Sequence, residues 1–405
     1  MSSFSAATQD EVRRHNLARI VRRLHLNGPA SRSELVALTG LNRSTVGVLI
    51  SELVDAGLAT EGAGSAGTVG RPSLVVALDP LSAVVVAFDL RVERLIGAVI
   101  GVGGEVLARR ELKHRRQSFG PQVAVKQLVA MTASLLESVP EGAAWVGAGI
   151  SVPGIVDHGD GLVRVAPNLG WNDAPLGALA TAAMASEFGA GPQVRVGNDA
   201  DLGAMAEHVR GAGVGSQNLI YLSGEVGIGG GIVIDGRLMA GAGGYGGEVG
   251  HMVINPAGEL CRCGARGCWE TQIGRDAVLR AAGRELDAAE VQDIVIAARS
   301  GDDAALETMR TVGGWLGLGI GNLVNIFNPE VVVLGGHLHH LIAEVPGATV
   351  DRVGSSLRAP REQVKVMAPE LAGDSTLIGA GELAFAELLA DPLGILARSA
   401  SLVAS

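Results

Sequence analysis

The sequence has few cysteines, few aromatic residues and no long apolar run. Three cysteines and 3% aromatic residues occur in a chain of 405 residues, of which 47% are hydrophobic. No apolar stretch reaches the roughly 18 to 20 residues that a membrane span requires. The first 16 residues lack the apolar core of a secretory signal. These absences exclude a membrane protein and a disulfide framework, and we expect a cytoplasmic globular protein of two or three domains.

Basic residues are fewer than acidic residues, which at first argues against nucleic acid as a partner. The formal net charge is −10 at pH 7. Residues 1–75 nevertheless contain 8 arginines and 6 acidic residues, a balance of +2, so the remainder of the chain carries −12. This difference in sign favours a DNA-facing head on an acidic body.

Three short helices are predicted near the N-terminus. Apolar residues at helical spacing predict the first helix over about 10–26. Ser31 and Glu34 form a capping box that begins the second helix. Gly40 then turns the chain, and Asn42 can cap the third helix. Two short helices around a glycine-containing turn are typical of a helix-turn-helix, although a small bundle that binds other proteins is the alternative.

The third helix is the one expected to enter the major groove, with its N-terminal residues nearest the bases. The candidate DNA contacts on it are Arg43, Ser44, Thr45, Gly47 and Val48. A glycine-rich segment between two short strands follows and predicts a β-hairpin wing. Arg71 at its tip is placed to reach phosphate or a narrow minor groove. Together these features favour a winged helix-turn-helix that binds DNA.

The body has the pattern of an α/β protein that opens with an antiparallel meander. The meander strands are predicted at 84–89, 95–102 and 106–112, followed by a helix (121–138), a strand (144–152), a helix (174–188) and a strand (194–198). Another strand-rich set begins near Asn218, so two similar lobes are expected. A cleft between such lobes is a usual place for a small ligand.

Two segments of the body are candidates for a ligand site. Asn198 and Asp199 follow a predicted strand, where a carboxylate can accept hydrogen bonds from sugar hydroxyls or act as a general base. A helix N-cap is the alternative and is common for both residue types. The glycines of segment 224–231 can bring backbone N–H groups close to an anion, but such turns are frequent in a chain with 59 glycines.

The clearest motif is a histidine followed by three closely spaced cysteines. One imidazole and three thiolates, the ligand set of a closed tetrahedral zinc site, are supplied by His251, Cys261, Cys263 and Cys268. Unrelated reduced thiols are the alternative, but they would not explain why every cysteine lies within 261–268. With no open coordination position, the expected zinc, one per chain, is structural.

Several segments of the body resemble the signatures of the ROK family (repressors, open reading frames and kinases). The strongest match is the run GGYGGEVGHMVINPAGELCRCGARGCWET at 243–271. Further matches are SVPGIVD at 151–157, APNLGW at 166–171, VGNDADLGAMAE at 196–207, GIGGGIVIDGRL at 227–238 and NPEVVVLGG at 328–336. The resemblance covers about residues 80–390, and the head resembles the winged helix-turn-helix of ROK repressors of sugar catabolism.

The resemblance implies a two-lobe, actin-like body of the ribonuclease-H type behind a head at 1–78. The smaller lobe would span 79–195, completed by a C-terminal helix at about 376–390, and the larger lobe would span 196–375. By motif match, the implied sugar contacts are Asn198, Asp199, Glu248, His251 and Glu270, with Gly154 and Asn168 shaping the same pocket. His251 would bind zinc through one ring nitrogen and face the sugar with the other.

One departure from the family pattern bears on catalysis. Kinases of the family carry D-x-G-x-T in the first strand-turn, where Asp89, Arg91 and Glu93 stand here. The glycine and threonine that approach ATP phosphate are therefore replaced, and a carboxylate is expected near the phosphate position. Val226 stands where the kinases usually have threonine in a second loop. Since phosphoryl transfer depends on positioning and neutralising phosphate, we expect no kinase activity, and Asp199 would persist as a hydrogen-bond acceptor.

These features predict a sugar-responsive transcriptional regulator, with repression relieved by sugar as the default and with activation, or effects in both directions, also open. The expected partners are operator DNA, a sugar effector, and further copies of the chain in a homodimer or homotetramer on a pseudo-palindromic operator. The sugar would act through its different affinities for two states of the body. Two alternatives stay open: an ATP-dependent sugar kinase with an appended DNA-binding head, and a regulator controlled by a protein partner.

Overall fold

The N-terminal part of the molecule is a winged helix-turn-helix. The structure is a computed structural model that describes residues 8–63, 74–115, 119–189, 192–286, 290–344, 346–347, 353–354 and 356–403. The head contains α1 (Gln9–Asn27), β1 (Ala30–Ser31), α2 (Arg32–Thr39), α3 (Arg43–Asp55), β2 (Ala59–Ala63) and β3 (Leu74–Leu78). Its strands form one antiparallel sheet in the order β1-β3-β2. The predicted wing tip, including Arg71, lies outside the described residues.

The helix boundaries of the head follow from the local signals in the sequence. The Ser31 hydroxyl accepts from the Glu34 backbone N–H, and the Glu34 carboxylate accepts from the Ser31 N–H at 2.6 Å, which completes the predicted capping box. Gly40 ends α2 in the left-handed conformation, with φ of 70°. The Asn42 side chain caps α3 by accepting from the Thr45 N–H at 2.8 Å.

The head packs directly against the body. Its core includes Ile20, Leu35 and Ile50, whose side chains are fully buried. The same apolar cluster continues into the body through Phe385 and Leu388. Because roughly 1.5–3 kcal/mol is gained for each large apolar side chain that is fully buried, this shared core holds the head and body together.

The body is built on two five-stranded sheets with the same topology. The first contains β4 (Ala83–Leu90), β5 (Arg94–Gly101), β6 (Val106–Lys113), β7 (Ala144–Val152) and β11 (Val194–Asn198). The second contains β12 (Leu219–Gly224), β13 (Ile228–Ile234), β14 (Arg237–Leu238), β15 (Val331–Leu334) and β16 (Lys365–Met367). The sheet orders are β11-β7-β4-β5-β6 and β14-β13-β12-β15-β16.

In each sheet the first three strands form an antiparallel meander, and the last two add parallel to its first strand. This repetition confirms the expectation of two similar lobes. The first sheet is covered on both faces, since all eight residues of its central strand β4 are buried.

Helices cover the sheets and connect their parallel strands. The longer ones are α4 (Pro121–Leu136), α5 (Leu176–Phe188), α6 (Asp199–Arg210), α9 (Val291–Arg299) and α10 (Asp303–Phe327). Shorter helices are α7 (Glu270–Ile273), α8 (Arg275–Ala281), α11 (Leu338–Glu344) and α12 (Arg358–Gln363). The chain ends with α13 (Ser375–Ala390) and α14 (Pro392–Val403). Within the part of the chain that the structure describes, no helix is long and apolar enough to cross a membrane.

Helix α13 lies between the first sheet and α6. A Cβ at Gly149 in β7 would overlap the Ala380 carbonyl of α13, and one at Gly379 would overlap the Leu202 carbonyl of α6. Glycine at these positions lets the backbones of the two helices and the strand approach one another. The predicted C-terminal helix at 376–390 therefore corresponds closely to α13.

Among the elements that the sequence did not predict are a small sheet after β7 and the last helix. A small sheet of β8 (Ile155–Val156), β9 (Val163–Ala166) and β10 (Trp171–Ala174) lies after β7. Because β10 takes up residues to 174, helix α5 begins at Leu176 and not at 174. The second missed element is α14, whose Leu393 and Ile395 pack on the apolar cluster shared with the head.

Candidate functional site

A cleft of about 600 Å³ lies between the two sheets of the body. Residues of both lobes line it, from the turn after β7, the loop after β9, the start of α6, the β12–β13 turn and the cysteine-containing loop. All the residues predicted to contact sugar are among them, namely Gly154, Asn168, Asn198, Asp199, Glu248, His251 and Glu270. Side chains from distant parts of the sequence therefore converge on one site.

Asn198 is both a helix cap and part of the cleft wall. Its Oδ1 accepts from the Asp201 N–H at 3.0 Å, which caps α6. Its Nδ2 donates to the Gly154 carbonyl at 2.9 Å and to Asp199 Oδ1 at 3.1 Å. A Cβ at Gly154, where φ is 150°, would overlap the Val165 carbonyl. Asn198 therefore caps α6 and also lines the cleft, because the capping geometry points its amide group at the cleft.

Asp199 is a carboxylate in an unfavourable electrostatic environment. Burial and the nearby charges of Asp89 and Glu225 together raise its pKa to about 7, against a hydrogen bond from the Ala200 N–H that lowers it. A carboxyl group that titrates near neutrality can accept a proton or a hydrogen bond from a hydroxyl group of a ligand.

The four predicted metal ligands form one cluster. Their ligand atoms all lie within 4.8 Å of one another. His251 Nδ1 is 3.7 Å from Cys261 Sγ, and Cys263 Sγ is 3.6 Å from Cys268 Sγ. Zn–S and Zn–N bonds of about 2.3 and 2.0 Å imply tetrahedral edges of roughly 3.6–3.8 Å. The donor set and its spacing therefore fit a tetrahedral metal ion.

Two short backbone bridges shape the loop around this cluster. Val253 pairs with Cys268, and Leu260 pairs with Arg266. Gly267 has a φ of 76°, and a Cβ there would overlap the Asn255 carbonyl. The loop is therefore a tight double hairpin that gathers three sulfur atoms, with Cys261 and Cys268 buried and Cys263 exposed.

The two ring nitrogens of His251 face different groups. Nδ1 faces the cysteine cluster and also lies 3.6 Å from Glu270 Oε1. Nε2 lies 3.8 Å from Glu248 Oε2, on the side of the cleft. Burial raises the pKa of Glu248. A metal ion held by Nδ1 would leave Nε2 available to a ligand in the cleft.

The segment that corresponds to the kinase phosphate loop is occupied by an ion pair. Asp89 is buried, and its Oδ2 accepts from Arg91 Nε at 2.6 Å and from Thr376 Oγ1 at 2.7 Å. Arg91 also donates to the Gly373 carbonyl at 2.5 Å and lies 3.7 Å from Glu225. Arg91 is thus held between the carboxylates of Asp89 and Glu225.

Glu93 lies in the turn between β4 and β5. Its side chain is exposed, and the neighbouring Val92 is the residue of this turn that lines the cleft. Val226 also lines the cleft, in the β12–β13 turn.

Arg262, which stands between two of the predicted metal ligands, joins the two lobes at the mouth of the cleft. Its Nη1 donates to Asn168 Oδ1 at 3.1 Å, and its Nη2 lies 3.3 Å from Asp276 Oδ2. The sequence analysis predicted Asn168 but missed Arg262, because an exposed arginine in a loop carries no signal of its partner.

The five predicted DNA contacts of α3 lie on the outer part of the head, and the sixth, Arg71, is outside the described residues. Arg43, Ser44 and Val48 are exposed at the N-terminal half of α3, and Thr45 and Gly47 are partly exposed. Arg32, which the sequence analysis missed, would lie 3.4 Å from a Cβ at Gly47, and Glu61 of the wing holds its guanidinium at 2.5 and 2.6 Å. Arg32 therefore joins the wing to the surface of α3.

The sequence and the architecture of this chain are similar to those of known proteins. The family model described as "ROK family" matches residues 85–387. The xylose repressor of Bacillus spizizenii is 29% identical over 381 residues, which cover 92% of this chain and 97% of that protein. A solved ROK family transcriptional regulator, described as a homolog of the E. coli MLC protein, aligns with a TM-score of 0.77 and 26% identity over 98% of this chain and 100% of that one.

Kinases match over a smaller part of the chain. The glucokinase of Streptomyces coelicolor is 32% identical over 280 residues, which cover 64% of this chain and 86% of that protein. The fold and site together define a two-lobe, actin-like body that carries a winged helix-turn-helix. The chain belongs to the ROK family, and it has the architecture of the transcriptional regulators of that family.

Proposed function

We propose that the protein is a sugar-responsive transcriptional repressor that binds operator DNA through its head and a free aldose in its cleft. The observation that carries the proposal is a winged helix-turn-helix fused to a body whose cleft gathers the five predicted sugar contacts and the two residues predicted to shape their pocket. The matched relatives include several repressors named for xylose, so D-xylose is the first effector to test. Genes of carbohydrate metabolism are the proposed targets.

Hydroxyl recognition is assigned to the polar residues of the cleft. Carboxylates accept hydrogen bonds from sugar hydroxyls, and an imidazole donates or accepts them. The proposed contacts are Asn198, Asp199, Glu248, His251 and Glu270, with Gly154 and Asn168 shaping the pocket. Three carboxylates in this set favour a neutral ligand over a phosphorylated sugar, because like charges repel at short range.

The His251 and cysteine cluster is proposed to hold one structural zinc ion through His251, Cys261, Cys263 and Cys268. All four coordination positions would be filled by protein, so the ion would stabilise the loop and would leave no open position for catalysis. Its contribution to function is orientation: with Nδ1 of His251 on the metal, the ring is fixed with Nε2 toward the cleft.

The head is proposed to bind DNA through α3 and the wing. The proposed contacts are Arg43, Ser44, Thr45, Gly47, Val48 and Arg71. A twofold-symmetric homodimer, or a dimer of dimers, would present two heads to a pseudo-palindromic operator, with half-sites about 10–10.5 base pairs or a multiple apart. The proposed domain limits are 1–78 for the head, 79–195 with α13 for the smaller lobe, and 196–375 for the larger lobe.

The protein is proposed to lack kinase activity. Arg91 occupies the position of the phosphate-loop glycine and is held by Asp89 and Glu225. The absence of glycine at position 91 and of threonine at position 93 supports this proposal, because phosphoryl transfer depends on positioning and neutralising phosphate. The glucokinases among the relatives favour the alternative of a sugar kinase with a DNA-binding head, and a test of function must separate the two.

A footprint of the protein on the DNA upstream of its own gene tests the repressor proposal. We expect two protected half-sites related by a twofold axis, with protection reduced by D-xylose or another free aldose. The same preparation should release no ADP from ATP when these sugars are present. Sugar-dependent ADP release at enzyme-like rates, of order 1–1000 per second, would contradict the assignment and favour the kinase.

A further inference from the structure

Helix α6 connects the ligand cleft to the DNA-binding head. It begins at Asp199, next to Asn198 in the proposed sugar pocket, and its 12 residues end at Arg210. A helix of this length extends about 18 Å. One continuous element therefore has its N-terminal end at the sugar and its C-terminal end at a distant part of the molecule.

Close backbone contacts hold α6 on two sides. Gly379 of α13 allows that helix to approach the Leu202 carbonyl, where a Cβ would overlap. Gly231 of β13 likewise allows the strand to approach the Ala200 carbonyl. Closely packed elements transmit displacement and do not absorb it. A shift of the Asp199 end of α6 is therefore carried to the Arg210 end.

Arg210 is the centre of a buried junction between the lobes and the head. Its Nε donates to Glu382 of α13 at 2.5 Å, and its Nη1 donates to the Gly103 carbonyl in the β5–β6 turn at 2.9 Å. Its Nη2 donates to the backbone carbonyl of His25, in α1 of the head, at 3.2 Å. The Arg210 side chain is only 13% exposed, so its contacts are not those of a solvated surface arginine.

His25 attaches the head to the same junction. Its Nδ1 accepts from the Gly103 N–H at 2.8 Å, and its Nε2 lies 3.1 Å from Glu382 Oε2 and 2.7 Å from Arg210 Nη2. Its ring also packs edge-on against Phe385 of α13 at 4.9 Å. The head therefore rests on groups whose positions depend on both lobes.

We propose that the Arg210–Glu382–His25 junction couples sugar binding to DNA binding, with Arg210 as the residue that positions the head. This inference rests on the proposed function. A sugar that draws Asn198 and Asp199 toward the opposite lobe shifts α6 along its length, and Arg210 then changes its contacts with His25. A buried charge that loses its partner is strongly destabilising. The junction is therefore stable only in arrangements in which its charges are paired, and the head moves between the orientations that these arrangements allow.

The test compares operator affinity with and without D-xylose in the wild type and in Arg210→Met. For the wild type, typical coupling predicts an affinity change of about 5- to 150-fold. In Arg210→Met we expect this ratio to fall below about threefold, while the affinity for D-xylose without DNA stays within about threefold of the wild type. A variant with only general structural damage would instead lose affinity for both ligands.

Two further variants keep the result decisive. Arg195→Met removes an ion pair to Glu387 of the same helix α13, at 2.7 Å, and among the described residues no hydrogen bond or ion pair joins Arg195 to the head. It should keep the wild-type ratio. Arg210→Met combined with Glu382→Gln removes both buried charges and replaces Arg210→Met if that variant does not fold. If the ratio of operator affinities without and with D-xylose is undiminished in either Arg210 variant, the inference is wrong but the proposed function stands. The same holds if Arg195→Met lowers this ratio as much as Arg210→Met does. A wild type that responds to no aldose would overturn the proposed function as well.

Discussion

Replacing Asp199 by asparagine tests the sugar site with little change of structure. Both hydrogen bonds that the structure describes for the Asp199 carboxylate, from Ala200 N–H and Asn198 Nδ2, use Oδ1. An asparagine carbonyl oxygen can keep both. The substitution therefore changes only the Oδ2 atom, an acceptor, which becomes an N–H donor. It also removes a negative charge that burial disfavours.

The expected magnitude follows from the loss of one charged acceptor. A hydrogen bond to a charged group contributes about 1.5–3 kcal/mol, so affinity for D-xylose should weaken about 10- to 150-fold. Thermal stability should be equal to or higher than that of the wild type above about pH 7, because the ionised carboxylate with its raised pKa is itself destabilising. Calorimetric titration measures the affinity, and a melting curve checks the fold.

The pH dependence of this site has a defined sign. The pKa of Asp199 is raised to about 7, and the ionised form is the better acceptor for a sugar hydroxyl. Wild-type affinity should therefore fall as the pH drops from about 8 to about 6, and Asp199→Asn should show a smaller fall over this range. An Asp199→Asn protein that binds D-xylose as tightly as the wild type, with the same pH profile, would refute the role of this carboxylate.

Three more substitutions test other parts of the account. Cys263→Ser should abolish the expected one zinc per chain in metal analysis and weaken sugar binding at least about tenfold, because the metal orients His251. Arg43→Ala should weaken operator binding by roughly 1–3 kcal/mol in a mobility-shift titration and leave sugar affinity unchanged. Gly154→Ala should lower stability by roughly 1–3 kcal/mol in denaturant unfolding, since its Cβ would overlap the Val165 carbonyl.

Each of these predictions has an outcome that contradicts it. Full zinc content in Cys263→Ser, or normal sugar affinity after zinc is lost, would break the proposed link between metal and pocket. Unchanged operator affinity in Arg43→Ala would remove that residue from the DNA surface. Gly170→Ala is the control for Gly154→Ala: Gly170 also has a positive φ, of 72°, but nothing lies within 4 Å of its Cβ position. Equal destabilisation in both variants would show that backbone conformation alone is responsible.

The parts of the fold that the sequence predicted best depend on local signals. The Ser31–Glu34 capping box and the Asn42 cap act within one helical turn, so their pattern can be read along the chain. The metal cluster was equally readable, because its three cysteines lie within one loop and their chemistry is specific.

The features that the sequence did not predict depend on contacts between distant residues. His25 and Glu382 are 357 positions apart, and no local pattern indicates that they meet. The pairing of Arg91 with Asp89 follows from close spacing, but its burial depends on Thr376 and Gly373 near the start of α13. Burial and partner choice of this kind are decided by packing of the whole molecule, which propensity and periodicity do not encode.

The most direct test of the central claim is a titration of labelled operator DNA with the protein, followed by fluorescence anisotropy, at zero and saturating D-xylose. The account predicts specific binding without sugar and an affinity reduced about 5- to 150-fold with D-xylose or with one other free aldose. By linkage, operator DNA must weaken sugar binding by the same factor. Operator affinity that is unchanged by every aldose tested, in protein that binds one of them in the cleft, would contradict the account.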